Sequence, residues 1–103
     1  MQHIGIDEYV IDVLMPDLAG HDRSPAAFLV YVFLWAELYR SEEKYVRASL
    51  QGLAEATGLS KSAVQAALRR LKKRGLVEVR KNSPTATPEY ALVRHWIRRR
   101  VRT

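Results

Sequence analysis

The sequence predicts an α+β, mainly helical domain: a three-helix core with a β-hairpin beside it, a strand-like N-terminal extension and a basic C-terminal tail. Three observations carry this. Apolar residues recur at i, i+3 and i+4, the spacing of one buried helical face, in two adjacent stretches: Leu50, Leu53 and Ala54, then Val64, Ala67, Leu68 and Leu71. Ahead of them an apolar run of 11 residues, 26–36, follows a Ser-Pro pair that suits a helix start. Behind them two β-rich stretches flank a segment holding two prolines. At 103 residues the chain makes one domain with a modest core.

Residues 1–23 form the extension. Within it, residues 9–14 read YVIDVL, with Tyr9, Ile11 and Val13 on one side and Val10, Asp12 and Leu14 on the other. A short strand is the first reading and a helical turn the second. Pro16 restricts the residue before it and ends the segment, and residues 19–23 make a loop. The domain proper spans residues 24–93. Its first helix runs over about residues 25–40, with Ser24 as cap and Pro25 at the first position, where a missing N–H costs nothing. Phe28, Leu29, Val30, Tyr31, Val32, Phe33, Leu34, Trp35, Leu38 and Tyr39 leave this helix almost no polar face. A helix apolar all round is covered all round. The expectation is a homodimer built on Tyr9, Ile11, Val13, Phe28, Tyr31 and Trp35. The alternative is a monomer that covers the helix with its own termini, including the segment around Trp96 and Ile97.

Residues 45–48 are a short first strand. Ser49 then caps a helix over residues 50–57, and Ser60 caps another over residues 61–74 that ends at Gly75. Residues 76–81 and 89–93 pair as a hairpin around a tip at residues 82–88. Residues 94–103, RHWIRRRVRT, are a basic tail or short helix.

Two helices, a short turn holding Gly58 and a basic second helix make a helix-turn-helix pattern. The segment resembles the DNA-binding helix-turn-helix in its small Ala54 where the helices cross, its Gly58 in the turn and its β-branched Val64 anchoring the second helix. The continuation LRRLKKRGLVEV resembles the winged-helix form found in bacterial and archaeal regulators such as the GntR and MarR families. With its flanks the resemblance extends over roughly residues 25–93. It implies a sequence-specific double-stranded DNA-binding protein, a dimeric transcriptional regulator, with the 61–74 helix in the major groove.

The charge supports a polyanionic partner. The net charge of +6 combines −6 over residues 1–43 with +12 over residues 44–103. Such a split puts one surface toward a polyanion and keeps another away from it. On the 61–74 helix, if Val64, Ala67, Leu68 and Leu71 face inward, then Lys61, Ser62, Gln65, Ala66, Arg69 and Lys73 face out. Lys61, Ser62 and Gln65 are candidates for base edges, Gln65 suiting adenine and Ala66 a thymine methyl, and Arg69 suits guanine or a phosphate. Lys72, Lys73 and Arg74 lie at the far end, in reach of phosphates. In the wing, Arg80, Lys81, Ser83 and Thr85 are candidate phosphate contacts. Lys44, Arg47, Ser49 and Ser60 add candidates at the two helix N-termini.

Other chemistry finds little support. With no cysteine there are no disulfides, thiolate metal sites or cysteine nucleophiles, and a reducing cytoplasm fits. The longest apolar run is too short to span a bilayer, which takes about 20 residues. His3, His21 and His95 lack metal-ligand spacing, and His21-Asp22 is a weak pair. Asp7, Glu8 and Asp12 read as a solvated or subunit-facing edge. The expectation is no enzyme, no cofactor, no metal, no membrane and no small-molecule ligand. From a different class, the competing reading is a winged-helix protein-interaction module in a replication, partition or secretion assembly, because fold does not fix function.

Overall fold

In the computed structural model, which describes residues 2–97, a helical N-terminal arm precedes three α-helices and a small antiparallel sheet. The helices are α1 (Pro25–Ser41), α2 (Leu50–Thr57) and α3 (Lys61–Lys73). The strands are β1 (Val46–Arg47), β2 (Val77–Arg80) and β3 (Glu89–Leu92). The sheet order is β1-β3-β2, with Arg47 and Arg80 both opposite Glu89, and Val46 and Val79 both opposite Tyr90.

The arm corrects the strand expected over residues 9–14. It is helical, in two wide-turned π segments, Val10–Leu14 and Pro16–His21. Val10, Leu14 and Leu18, four residues apart, are buried together, while Ile11 and Val13 remain exposed. That spacing is a helical stripe, and burying it against α1 overrides the β-propensity of the local residues. Pro16 has no N–H to give to a helical ladder. The surrounding bonds reach back five residues instead of four, Met15 N–H to the Val10 carbonyl and Asp22 N–H to the Asp17 carbonyl.

Ser24 caps α1 by accepting from the Ala27 N–H at 3.3 Å, with Pro25 at the first position. The helix ends at Glu42, whose φ of +58° is left-handed and whose N–H closes on the Leu38 carbonyl. Although α1 is apolar all round in composition, only one stripe is buried: Ala27, Val30, Tyr31, Leu34 and Trp35. These join Leu53, Val64, Ala67, Leu71, Leu76 and Tyr90 in one core.

Tyr31 and Trp35, expected at a dimer interface, lie in the core of the single chain. The chain's own ends supply the cover. The Trp35 Nε1–H donates to the Gly5 carbonyl at 2.7 Å, and the Arg94 guanidinium lies 5.0 Å from the Trp35 ring centroid. Tyr9 stacks on Trp96 at 4.5 Å, so it too is engaged within the chain. Asp7 belongs to the same clasp, accepting from Arg94 at 2.7 Å and from the Trp96 indole at 2.9 Å, and is no free acidic edge. Burial pushes the Asp7 carboxyl up, and the bonds from Trp96 and Arg94 more than reverse that, holding it below its ordinary value. Phe28 is half-buried against the core, and Ile11 and Val13 stay exposed at 41% and 40%.

Candidate nucleic-acid interface

The α2–α3 unit is set by its caps. Ser49 accepts from the Gly52 N–H at 2.9 Å and Ser60 from the Ala63 N–H at 3.1 Å, each satisfying an orphan donor of its helix. Between them Gly58 takes a φ of +80°, where a side chain would strain the turn. Leu53 and Ala54 of α2 and Val64, Ala67, Leu68 and Leu71 of α3 are buried, which fixes the rotation of α3. Lys61, Ser62, Gln65, Ala66, Arg69, Lys72 and Lys73 are consequently all exposed, on the side away from the core. The Ser60 and Ser62 hydroxyls lie 3.2 Å apart at its N-terminal end.

Four arginines outside this face are differently engaged. Glu89 accepts from Arg80 Nε and Nη2 at 2.9 and 2.8 Å and from Arg47 Nη2 at 3.2 Å, making a row across all three strands. The Arg80 guanidinium also lies 3.8 Å from the centroid of the Tyr45 ring. Bonds from Arg80 and Arg47 hold the Glu89 carboxyl below its ordinary value, and Glu89 raises that of Arg80 in turn. Arg74 donates to both Asp17 and Asp22 of the arm, and those bonds raise its pKa. Arg94 is held by Asp7. Among the described residues, Lys44, Lys61, Arg69, Lys72, Lys73 and Lys81 take part in no ion pair. Lys81, Ser83 and Thr85 sit exposed on the wing, whose tip turns through the Ala86 N–H to the Ser83 carbonyl at 3.1 Å. Arg98, Arg99, Arg100 and Arg102 lie outside the described residues.

Residues 36–86 match the model of the MarR family. The chain carries a winged helix-turn-helix of the MarR type. The match takes in α2, the turn, α3 and β2 and stops within the wing, so of the two families the sequence resembles it selects one. At the level of that family the protein is a DNA-binding transcription regulator. No curated protein and no solved structure gives a match. No described helix is long and apolar enough to cross a membrane.

Three partners in this MarR-type site escaped the sequence. Glu89 was legible only through the strand register, which sets it between Arg47 and Arg80. Asp17 and Asp22 lie more than 50 positions from Arg74, and no local pattern joins them. Asp17, His21 and Asp22 bring ligand-type atoms within 4.8 Å of one another, but both carboxylates already accept from Arg74. A half-open cleft of about 320 Å³ lies at the end of α1, between Trp35, Tyr39 and Leu92 and the mixed charges of Glu42, Glu43 and Lys44.

Proposed function

We propose that this regulator reads a specific double-stranded DNA sequence as a homodimer, with α3 in the major groove and the wing along the backbone. The observation that carries the reading is the exposed face of α3, on which Lys61, Ser62, Gln65, Ala66 and Arg69 stand together opposite a fully buried stripe. An N-terminal half that presents Lys61, Ser62 and Gln65 and a C-terminal half rich in lysine and arginine match the division between base edges and phosphates in helix-turn-helix docking. Lys61, Ser62 and Gln65 read base edges, Ala66 meets a thymine methyl, and Arg69 takes guanine or a phosphate. Lys73, Lys81, Ser83 and Thr85 hold the backbone, with Lys44 and the capped N-termini at Ser49 and Ser60 adding to it. Arg47 and Arg80 join them through the guanidinium edges that Glu89 leaves free.

The proposed dimer uses Ile11 and Val13, with Phe28 at its margin, and sets two α3 helices about 34 Å apart on a near-palindromic site. Selection of bound duplexes from a random pool, read together with solution mass, tests both parts. A palindrome bound by a dimer is the expected result. An unselected pool, or binding that does not weaken as salt rises, ends the reading.

A further inference from the structure

Arg74 closes the run Lys72-Lys73-Arg74 and reads in the sequence as one more phosphate contact. Its surroundings assign it elsewhere. It sits at the C-terminal cap of α3, immediately before Gly75, whose φ of +70° turns the chain into β2. It is the joint between the recognition helix and the wing. The Arg74 side chain is 31% exposed, and its two terminal nitrogens go to two different carboxylates, Nη1 to Asp22 and Nη2 to Asp17. The Asp22 side chain is only 6% exposed. Asp22 is itself held by backbone, its N–H on the Asp17 carbonyl at 2.8 Å, and the next turn is closed by the Ser24 N–H on the Leu18 carbonyl at 2.8 Å. That turn carries the α1 cap, so the acid pair lies on the arm just ahead of α1, the helix that packs against α3.

We propose that Asp17 and Asp22 form an internal anion that seats Arg74, making Arg74 a positioning residue for DNA reading and withholding its charge from phosphate. The inference rests on the DNA-reading function proposed above. A planar guanidinium bridges two carboxylates in a fixed plane, which a lysine ammonium does not reproduce. Held this way, the end of α3 keeps its angle to the wing, and the base-reading residues, about two and a half to three and a half turns earlier, keep their register in the groove. The arrangement also removes one cation from sequence-independent binding, which raises the ratio of specific to non-specific affinity.

The test compares wild type, Arg74→Gln, Arg74→Lys, the isosteric double variant Asp17→Asn/Asp22→Asn and Lys73→Ala on a selected duplex and on a scrambled duplex across a salt series. Amide hydrogen exchange over residues 71–74 of the free proteins is read alongside. Lys73→Ala should lower the salt slope by about 0.9, the loss of one phosphate contact. Arg74→Gln should leave the slope on the scrambled duplex where it was and lower the specific-to-scrambled ratio about tenfold. The double Asn variant releases a cation, so its slope should steepen by about 0.9 while its ratio falls. Arg74→Lys should keep the charge without restoring the ratio. Exchange over residues 71–74 should quicken in the Arg74 and double Asn variants even without DNA. A slope loss in Arg74→Gln equal to that of Lys73→Ala, an unchanged ratio, or unchanged exchange overturns the proposal. Quickened exchange in a protein whose binding ignores salt would sink the DNA reading and leave the clamp standing.

Discussion

Arg80 and Glu89 face each other across the β2–β3 ladder, and two nitrogens of the guanidinium converge on one oxygen of the carboxylate. With Arg47 on the other carboxylate oxygen, one acid answers two of the basic residues that a phosphate would seek. Glu89→Gln removes that negative charge while keeping the side-chain shape. Affinity for duplex of any sequence should rise at low salt, and the salt slope should steepen by about 0.9 for each arginine that turns to phosphate, about 1.8 for both. Fluorescence titration of a labelled duplex at several salt concentrations reads both. Weaker binding would show that the carboxylate orients the arginines for DNA and does not compete with it.

Gln65 and Lys73 separate reading from holding on one helix. Both are exposed, two turns apart, on the side of α3 away from Val64 and Leu68. Gln65→Ala should cost about 1–3 kcal/mol on the preferred site and relax the base preference at one position. Lys73→Ala should weaken all sequences alike. Competition against a panel of single-position site variants distinguishes the two, and an unaltered preference in Gln65→Ala would remove that residue from the reading set.

What the sequence made legible follows from period and punctuation. Ser49, Ser60, Gly58 and Gly75 mark the ends of α2 and α3, and the i, i+3, i+4 apolar spacing fixes which side of α3 is buried, so the exposed set could be named in advance. The arm reads as a strand because Tyr9, Ile11 and Val13 satisfy a period of two, while the decisive partner of Val10 and Leu14 is Leu18, beyond a proline that reads as a breaker. The charge partners of Arg74, Arg80 and Arg94 were illegible for another reason. Side-chain pairs between distant elements leave no local pattern, and a count of basic residues does not reveal which are already neutralised by Asp17, Asp22, Glu89 and Asp7.

Tyr31 carries a cost that the core bears. Its ring fills the interior at 0% exposure, and its hydroxyl has no hydrogen-bond partner among the described residues. Burial drives its pKa up, so the group stays neutral. An unpaired buried hydroxyl is penalised by desolvation, and removing it without altering the ring recovers that penalty. Tyr31→Phe should raise stability by about 1 kcal/mol in urea unfolding. A loss of similar size would mean that the hydroxyl is paired in solution.

The clasp at Asp7 predicts an acid limb. Its folded pKa lies below the ordinary value of 3.8, so the unfolded chain takes up the proton first as pH falls. The stability that Asp7 contributes is complete above about pH 4 and disappears as pH drops through the folded value. Asp22 acts in the same direction, with the His21 bond and then those of Arg74 outweighing its burial. Asp7→Asn should unfold more easily at pH 7 and lose less stability than wild type between pH 4 and pH 2. Chemical denaturation at a series of pH values reads the difference, and parallel acid limbs would argue against the clasp.

Ile11 and Val13 stand on the outside of the arm while Val10, Leu14 and Leu18 seal the inside, so the outer pair is free to meet a second copy. Replacing both with glutamate adds two charges to a surface that already carries Glu8 and Asp12, at positions exposed enough that the fold itself should change by less than about 0.5 kcal/mol. Buried between two copies, those charges would have no partner, and a dimer should dissociate. The variant should sediment as a monomer and lose most of its affinity for a two-half-site duplex while binding a single half-site as wild type does. If wild type sediments as a monomer the dimer itself fails, and if the variant remains dimeric the arm is not the subunit contact.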